Sequence, residues 1–248
     1  MTAATKSYLL LSTVFTIILI SCACGGSNGQ SGQSASLRIV QANPALGGSD
    51  VLIDGSVVSS KLPFAANTDY LSLTSGTHAL TLRYSGTTVF TGSVIVRGDS
   101  SGALAANSKN TFFFGGWGPF GDGGGVVSFA DDTTPVSSKV ELRLISAAYA
   151  SFPPTFDVYV LPPGAVPNGS PTFSNLQFLT LDTDTYIVIS PGAYEIFFTT
   201  TGTTTTVYQA GTVDFSANQN RTFVLANNCS ASSCDYQTFT SFILADLN

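Results

Sequence analysis

The sequence predicts an all-β protein, with two tandem immunoglobulin-like β-sandwich domains after a signal peptide and a flexible tether. Three observations support this prediction. Segments such as residues 77–84 (THALTLRY) and 194–198 (YEIFF) are rich in the β-branched and aromatic residues that favour strands. Turn signals such as Asp54-Gly55 separate segments of this kind. Several sequence blocks also occur twice in the same order, 105 to 116 residues apart.

Residues 1–21 have the features of an export signal. Lys6 supplies a positive charge, and residues 8–20 form an apolar run, which is shorter than the roughly 20 residues needed to span a membrane. The run ends in residues 19–22 (LISC), which resemble a lipobox, where a small residue precedes an acylated cysteine. We therefore predict lipidation at Cys22 and attachment to the membrane through acyl chains.

The residues after the signal predict a tethered protein of the cell envelope. Residues 22–36 are dominated by Gly, Ser and Gln, so we expect a flexible tether of roughly 20 Å reach. Ala23, rather than Asp, follows Cys22, and by resemblance to lipoproteins of diderm bacteria this indicates the outer membrane, with the periplasmic or the surface face left open. The two sandwich domains are predicted over residues 37–134 and 137–248.

The charge composition argues against a nucleic-acid partner. The formal net charge is −6, and it becomes −7 once Lys6 is removed with the signal. Affinity for nucleic acid comes largely from Lys and Arg that neutralise phosphates, so an acidic chain with 10% charged residues is a poor candidate.

The repeated blocks carry a family resemblance. The pairs are 37–40 (LRIV) with 142–145 (LRLI), 49–53 (SDVLI) with 156–160 (FDVYV), 70–76 (YLSLTSG) with 186–192 (YIVISPG), and 106–112 (ANSKNTF) with 217–223 (ANQNRTF). The pattern resembles the domain-of-unknown-function family 4397, in two tandem copies over residues 37–248. The resemblance implies an exported β-rich envelope domain and no agreed catalytic residues. The second copy departs from the pattern by an insertion at residues 161–169 and by a cysteine loop.

The remaining cysteines predict one disulfide. Cys229 and Cys234 are separated by four small polar residues, and in an oxidising envelope they are expected to pair. A metal site is the alternative, but neither a second cysteine pair nor a nearby histidine supports it. We therefore expect no metal and no cofactor.

A glycine-rich segment after residue 115 is the candidate binding loop. Residues 116–121 (GWGPFG) fit a dinucleotide-binding pattern, but a strand-like segment rather than a helix follows, so we reject nucleotide binding. Trp117 and Phe120 in such a loop could contact a sugar or a protein partner. The alternative is that Trp117 folds back onto the end of the first domain.

Two further motifs have weak functional interpretations. Residues 98–102 (GDSSG) contain Ser100, which with Asp99 and the single histidine, His78, could form a serine hydrolase; a hairpin turn is the preferred interpretation. Asp131-Asp132 could bind Ca²⁺, although solvated turn acids are expected instead.

These observations favour a non-enzymatic envelope lipoprotein whose loops contact polysaccharide or protein, as in adhesion. A structural spacer without a specific ligand and an envelope serine hydrolase are the two alternatives.

Overall fold

The computed structural model describes residues 33–86, 90–96, 104–116, 124–132, 134–149, 155–179, 186–228 and 238–247. Residues 32–248 form one compact unit. The described residues contain eighteen strands and one short 3₁₀ turn at Pro44–Leu46. Within these residues there is no helix of the length and hydropathy that a membrane crossing requires.

Nine strands form the first half of the unit, which we define as residues 34–132. They are β1 (Ser34–Ala42), β2 (Ser49–Ile53), β3 (Ser56–Leu62), β4 (Ala66–Asn67), β5 (Leu71–Thr74), β6 (His78–Tyr84), β7 (Phe90–Val96), β8 (Lys109–Gly116) and β9 (Gly124–Ala130).

Nine more strands form the second half, which we define as residues 134–247. They are β10 (Val140–Ser146), β11 (Thr155–Leu161), β12 (Phe173–Gln177), β13 (Ile187–Ile189), β14 (Gly192–Thr200), β15 (Thr206–Gln209), β16 (Val213–Phe215), β17 (Gln219–Asn227) and β18 (Phe239–Leu247).

The strands form four sheets, two in each half. Outer sheet 1 has the order β3-β2-β6-β7, and inner sheet 1 has the order β4-β1-β8-β9, with β5 also paired to β1. Inner sheet 2 has the order β13-β10-β17-β18, and outer sheet 2 has the order β12-β11-β14-β15, with β16 also paired to β14. Within each inner sheet the two central strands are parallel, β1 with β8 and β10 with β17. The second half therefore repeats the main strand order of the first, with β13 in the place of β5 and no counterpart of β4 among the described strands.

Three apolar layers hold the four sheets in a stack. One layer lies between outer sheet 1 and inner sheet 1 and contains Leu37, Val51 and Leu82, among others. The corresponding layer of the second half contains Phe156 and Phe198, among others. The middle layer joins the two inner sheets and contains Val40, Ala42, Phe113, Val127, Phe129, Ile145, Ala147, Val224 and Leu244.

The central inner strands are buried on both faces. On β1, Leu37 and Ile39 point into the first sandwich, while Val40 belongs to the middle layer. Every residue of β10 is buried, as is every residue of β8 after Lys109. A strand covered on both faces loses the polar alternation of a surface strand, which explains the near-continuous apolar character of residues 142–145.

A repeated aspartate fixes the same backbone irregularity in both outer sheets. Asp50 Oδ1 accepts a hydrogen bond from Lys61 N at 3.1 Å, and Asp157 Oδ1 accepts one from Asn175 N at 2.9 Å. Lys61 and Asn175 both have positive φ, 55° and 59° respectively. The carboxylates thus stabilise a left-handed residue on the edge strand that follows.

The predicted all-β sandwich class is confirmed, since the described chain is built from packed sheets. The paired sequence blocks fall on equivalent strands, β1 with β10, β2 with β11 and β8 with β17. The boundaries at residues 37–134 and 137–248 stay a prediction.

Candidate functional site

All five residues that the sequence singled out as lipidation, disulfide or binding-loop positions lie outside the described residues. They are Cys22, Trp117, Phe120, Cys229 and Cys234. Four of these residues nevertheless lie between strands that the structure describes. The aromatic pair lies in the chain between β8 and β9, and the cysteine pair lies in the chain between β17 and β18. These two connections occupy equivalent places in the two halves. Lipidation, the disulfide and the binding loop stay predictions.

His78 is the one member of the weighed hydrolase triad that the structure describes, since Asp99 and Ser100 lie outside the described residues. His78 Nδ1 lies 2.7 Å from Asp54 Oδ2, and its Nε2 lies 2.8 Å from the Thr74 carbonyl oxygen. Both partners are acceptors, so the ring donates from both nitrogens when it is protonated. Burial lowers the pKa of His78, but the hydrogen bonds to Asp54 and Thr74 outweigh it and the pKa is raised.

The structure brings two arginines and two aspartates together between the inner sheets. Arg143 on β10 donates from Nη2 to Asp131 Oδ1 at 2.6 Å and from Nε to Thr222 Oγ1 at 3.0 Å. Its Nη1 donates to the Ala130 carbonyl at 3.0 Å. Asp131 directly follows β9, so an arginine of the second half is held by a carboxylate of the first.

The same arrangement is present in the opposite direction. Arg38 on β1 donates from Nη2 to Asp246 Oδ1 at 2.5 Å and from Nε to Thr111 Oγ1 at 2.9 Å. Its Nη1 donates to the Ala245 carbonyl at 2.7 Å. Asp246 lies on β18, so an arginine of the first half is held by a carboxylate of the second. The two ion pairs are reciprocal, as in the interface of a twofold-symmetric dimer.

Hydroxyl groups of its own half complete the coordination of Asp131. Its Oδ2 accepts hydrogen bonds from Thr111 Oγ1 at 2.6 Å and from the Tyr70 hydroxyl at 2.8 Å. The Arg38 guanidinium carbon lies 4.9 Å from the centre of the Tyr70 ring, within cation–π range. Burial, followed by the negative charge of Asp131, raises the pKa of Tyr70, so its hydroxyl remains a donor.

Asp246 has the matching environment. Its Oδ2 accepts hydrogen bonds from Thr222 Oγ1 at 2.6 Å and from the Tyr186 hydroxyl at 2.9 Å. The Arg143 guanidinium carbon lies 4.7 Å from the centre of the Tyr186 ring. Burial raises the pKa of Tyr186 as well. Each aspartate thus accepts from two hydroxyls of its own half and one arginine of the other.

We call Arg38, Arg143, Asp131 and Asp246 the reciprocal charge cluster. Their side chains are 0–3% exposed, and additional contacts of 3.9 Å and 4.0 Å connect the two pairs. Burial alone would lower the pKa of Arg143, but the nearby Asp131, Tyr186 and Asp246 raise it. The four charges sum to zero and are satisfied internally, which is the condition under which buried ions are tolerated.

The cluster is not evident from the sequence motifs, and one of its members, Asp131, differs from its predicted environment. Asp131 was expected to be a solvated turn acid, or else a Ca²⁺ ligand, and it is neither, because Arg143, Thr111 and Tyr70 occupy its carboxylate in the interior. One signal was available in the sequence. Ala130-Asp131 and Ala245-Asp246 are a further repeated pair, one at the end of β9 and one in β18.

Comparison with known proteins now places the chain in a family. No curated protein matches it significantly. The model of the family described as a domain of unknown function, DUF4397, matches residues 35–159. The match runs from β1 through the first half and into β11 of the second. It covers half of the chain, and it includes both arginines and the first aspartate of the reciprocal charge cluster. The chain belongs to the DUF4397 family.

Proposed function

We propose that this protein is a non-enzymatic, lipid-anchored module of the cell envelope, with two copies of the family domain whose loops contact a polysaccharide or protein partner. The observation that carries the proposal is the reciprocal charge cluster. Its ionised groups are buried and saturated by one another, so they join the two halves and do not face a substrate.

The repeated topology and chemistry support a second copy of the domain in residues 137–248. The inner sheets share their strand order and their parallel central pair. Each contributes one arginine, one threonine, one tyrosine and one aspartate at equivalent positions of the cluster. Two sequences that specify the same strands and the same buried polar network are best explained as copies of one unit.

A binding role without catalysis is supported by the state of the described polar groups. His78, the single histidine of the chain, is held between Asp54 and the Thr74 carbonyl, and its pKa is raised. An imidazole held in this way is a poor general base, because accepting a proton requires a neutral nitrogen that faces the reacting group.

Rigid presentation of loops supports the interaction role. The chain that contains Trp117 leaves β8 at Gly116 and enters β9 at Gly124, and these strands pair in register from Asn110 to Gly116. The hairpin is supported on one side by the first sandwich and on the other by the middle layer. Functional side chains on loops are positioned well when the strands that flank them are rigid.

Lipid attachment is tested by metabolic labelling of the full chain with a palmitate analogue. Wild type should be labelled and found in the membrane fraction. Cys22→Ser should lose the label, whereas Cys24→Ser, the matched control two residues away, should keep it. A label that persists in Cys22→Ser would refute the proposed anchor.

The interaction role is tested by sedimentation of the detergent-solubilised full chain with cell-wall sacculi from the source cells. Trp117→Ala should reduce the bound fraction about tenfold or more, because a buried aromatic anchor contributes roughly 2 kcal/mol or more to binding. Val166→Ala is the control, since Val166 is 72% exposed in a different loop. Equal binding by both variants would exclude the loop, and no binding by wild type would favour a structural spacer.

A further inference from the structure

Two buried oxygen atoms on adjacent inner strands have no hydrogen-bond donor among the described residues. They are Glu141 Oε2 on β10 and Asn220 Oδ1 on β17, and neither has a partner in the described part of the chain. Glu141 and Asn220 are direct neighbours in the parallel register. The residues are 7% and 0% exposed. Two neighbouring residues therefore each bury one acceptor oxygen without the donor that buried acceptors normally have.

The orientation of the Asn220 amide is fixed by the first half of the chain. Asn220 Nδ2 donates to the Asp132 carbonyl oxygen at 2.9 Å, which directs Oδ1 to the other side of the amide. Burial raises the pKa of Glu141, the negative charge of Asp132 raises it further, and a side-chain hydrogen bond with Asn220 acts in the opposite direction. Glu141 and Asn220 are thus neighbours on adjacent strands, and Asn220 contacts the Asp132 backbone across the joint between the halves.

The first half places a cation at the equivalent position. Ser36 directly precedes Leu37 on β1 as Glu141 precedes Leu142 on β10, and Ser36 is paired with Lys109 as Glu141 is paired with Asn220. Lys109 Nζ lies 5.2 Å from the centre of the Tyr70 ring. In the second half the lysine is replaced by an amide and the serine by an acid. The positive charge is lost where a negative charge has been added.

We propose that Glu141, Asn220 and Asp132 bind a hard divalent cation, with Ca²⁺ as the expected metal. Carboxylate and amide oxygens are the ligands that Ca²⁺ prefers, and water completes a coordination shell of six to eight oxygens. The cation supplies the charge that the first half obtains from Lys109. With about three protein ligands the site is weak, with Kd of about 10⁻⁴–10⁻³ M, which is in the range of extracellular modules.

The two consecutive aspartates have different roles. Asp131 belongs to the reciprocal charge cluster, where Arg143 neutralises it. Asp132 is exposed, and its Oδ1 accepts a hydrogen bond from Thr134 N at 2.8 Å, which orders the carboxylate. The site binds the metal across the joint, with one ligand residue from the first half and two from the second, so it should stabilise the association of the halves. This effect does not depend on the identity of the envelope partner.

Thermal unfolding of the full chain in detergent, after removal of metal with EDTA, tests the proposal. With 10 mM CaCl₂ the Tm of wild type should rise by about 3–6 °C, from the mass action of a site of about 1 mM Kd on a domain of this size. Glu141→Gln should lose the shift while still folding, because it removes a buried charge. Asp132→Asn, at an exposed position, should reduce the shift without disturbing the interior.

Asp214→Asn is the matched control, since Asp214 is an exposed acid on β16, away from the inner sheets, and it should keep the full shift. An equal Ca²⁺ shift in Glu141→Gln would overturn the proposal. So would the absence of a shift in wild type. If Ca²⁺ has no effect on wild type, stability is measured again at lower pH. A gain on acidification in wild type but not in Glu141→Gln would show that a proton on Glu141, rather than a metal, satisfies the two oxygens.

Discussion

Removing Arg143 should strongly destabilise the joint between the halves. The Arg143→Met substitution keeps an unbranched apolar side chain in place of the arginine stem and deletes the guanidinium. Asp131 Oδ1 then loses its 2.6 Å ion pair and keeps only the 3.9 Å approach of Arg38. The Ala130 carbonyl and Thr222 Oγ1 lose a donor at the same time.

The expected loss is about 3–5 kcal/mol, because it leaves an uncompensated buried charge. The two hydroxyls that donate to Asp131 Oδ2 remain, from Thr111 and Tyr70, and this favours the lower end of that range. For a unit of this size the loss corresponds to a fall in Tm of about 6–20 °C. Arg38→Met should cost a similar amount, since its contacts to Asp246 and Thr111 are equivalent.

Urea unfolding followed by far-UV circular dichroism measures these values. Lys139→Met is the matched control, because Lys139 is an exposed cation next to β10 and its loss should change stability by no more than about 0.5 kcal/mol. The double variant Arg143→Met/Asp131→Asn should be less destabilised than the sum of its single variants, by about 1–3 kcal/mol. A loss below 1 kcal/mol for Arg143→Met would refute the argument that the cluster holds the two halves together.

Two further predictions concern stability. Because the pKa of His78 is raised in the folded state, its contribution to folding stability is complete below the ordinary pKa of about 6.5 and is lost as pH rises through the folded-state value. Tm should therefore fall over this pH interval in wild type and stay constant in His78→Gln. A constant Tm in wild type would refute the assignment. Gly115→Ala should lower the free energy of unfolding in urea by about 1–3 kcal/mol, because a Cβ there would lie 2.8 Å from the Ala147 carbonyl oxygen. Gly211→Ala is the control and should be neutral, since the space around Gly211 is open. Equal effects of the two substitutions would show that the joint tolerates the added atom.

The sequence was sufficient to predict the fold class and the paired blocks that fall on equivalent strands of the two halves. Both depend on local signals, namely β-branched and aromatic strands, turn residues and paired blocks such as residues 37–40 and 142–145. The partner of Arg38 was not predictable in this way. It lies 208 residues away, and no pattern within one repeat indicates that its arginine pairs with the aspartate of the other.

The stacking of the inner sheets also could not be read from residue types alone. In a single sandwich, the strand at residues 111–116 would have only one face on the core. Phe112 and Phe114 do belong to the first sandwich, but Phe113 packs in the middle layer against the second half. The apolar run is consistent with a strand buried on both faces or with an ordinary core strand, and only the position of the second half distinguishes them.

The stacked arrangement explains where the two halves still resemble each other. The inner strands β1 and β10 keep the sequence pattern LR[IL][VI], because each residue there packs against an apolar layer or takes part in the reciprocal charge cluster. The connection from β11 to β12 lies in an outer sheet and has acquired an insertion at residues 161–169, with Val166 72% exposed. A change in an inner strand must fit both halves at once, whereas an outer loop must fit only its own sheet. We therefore expect the surfaces that recognise partners to have diverged at the outer sheets and loops, around a joint that has stayed nearly symmetric.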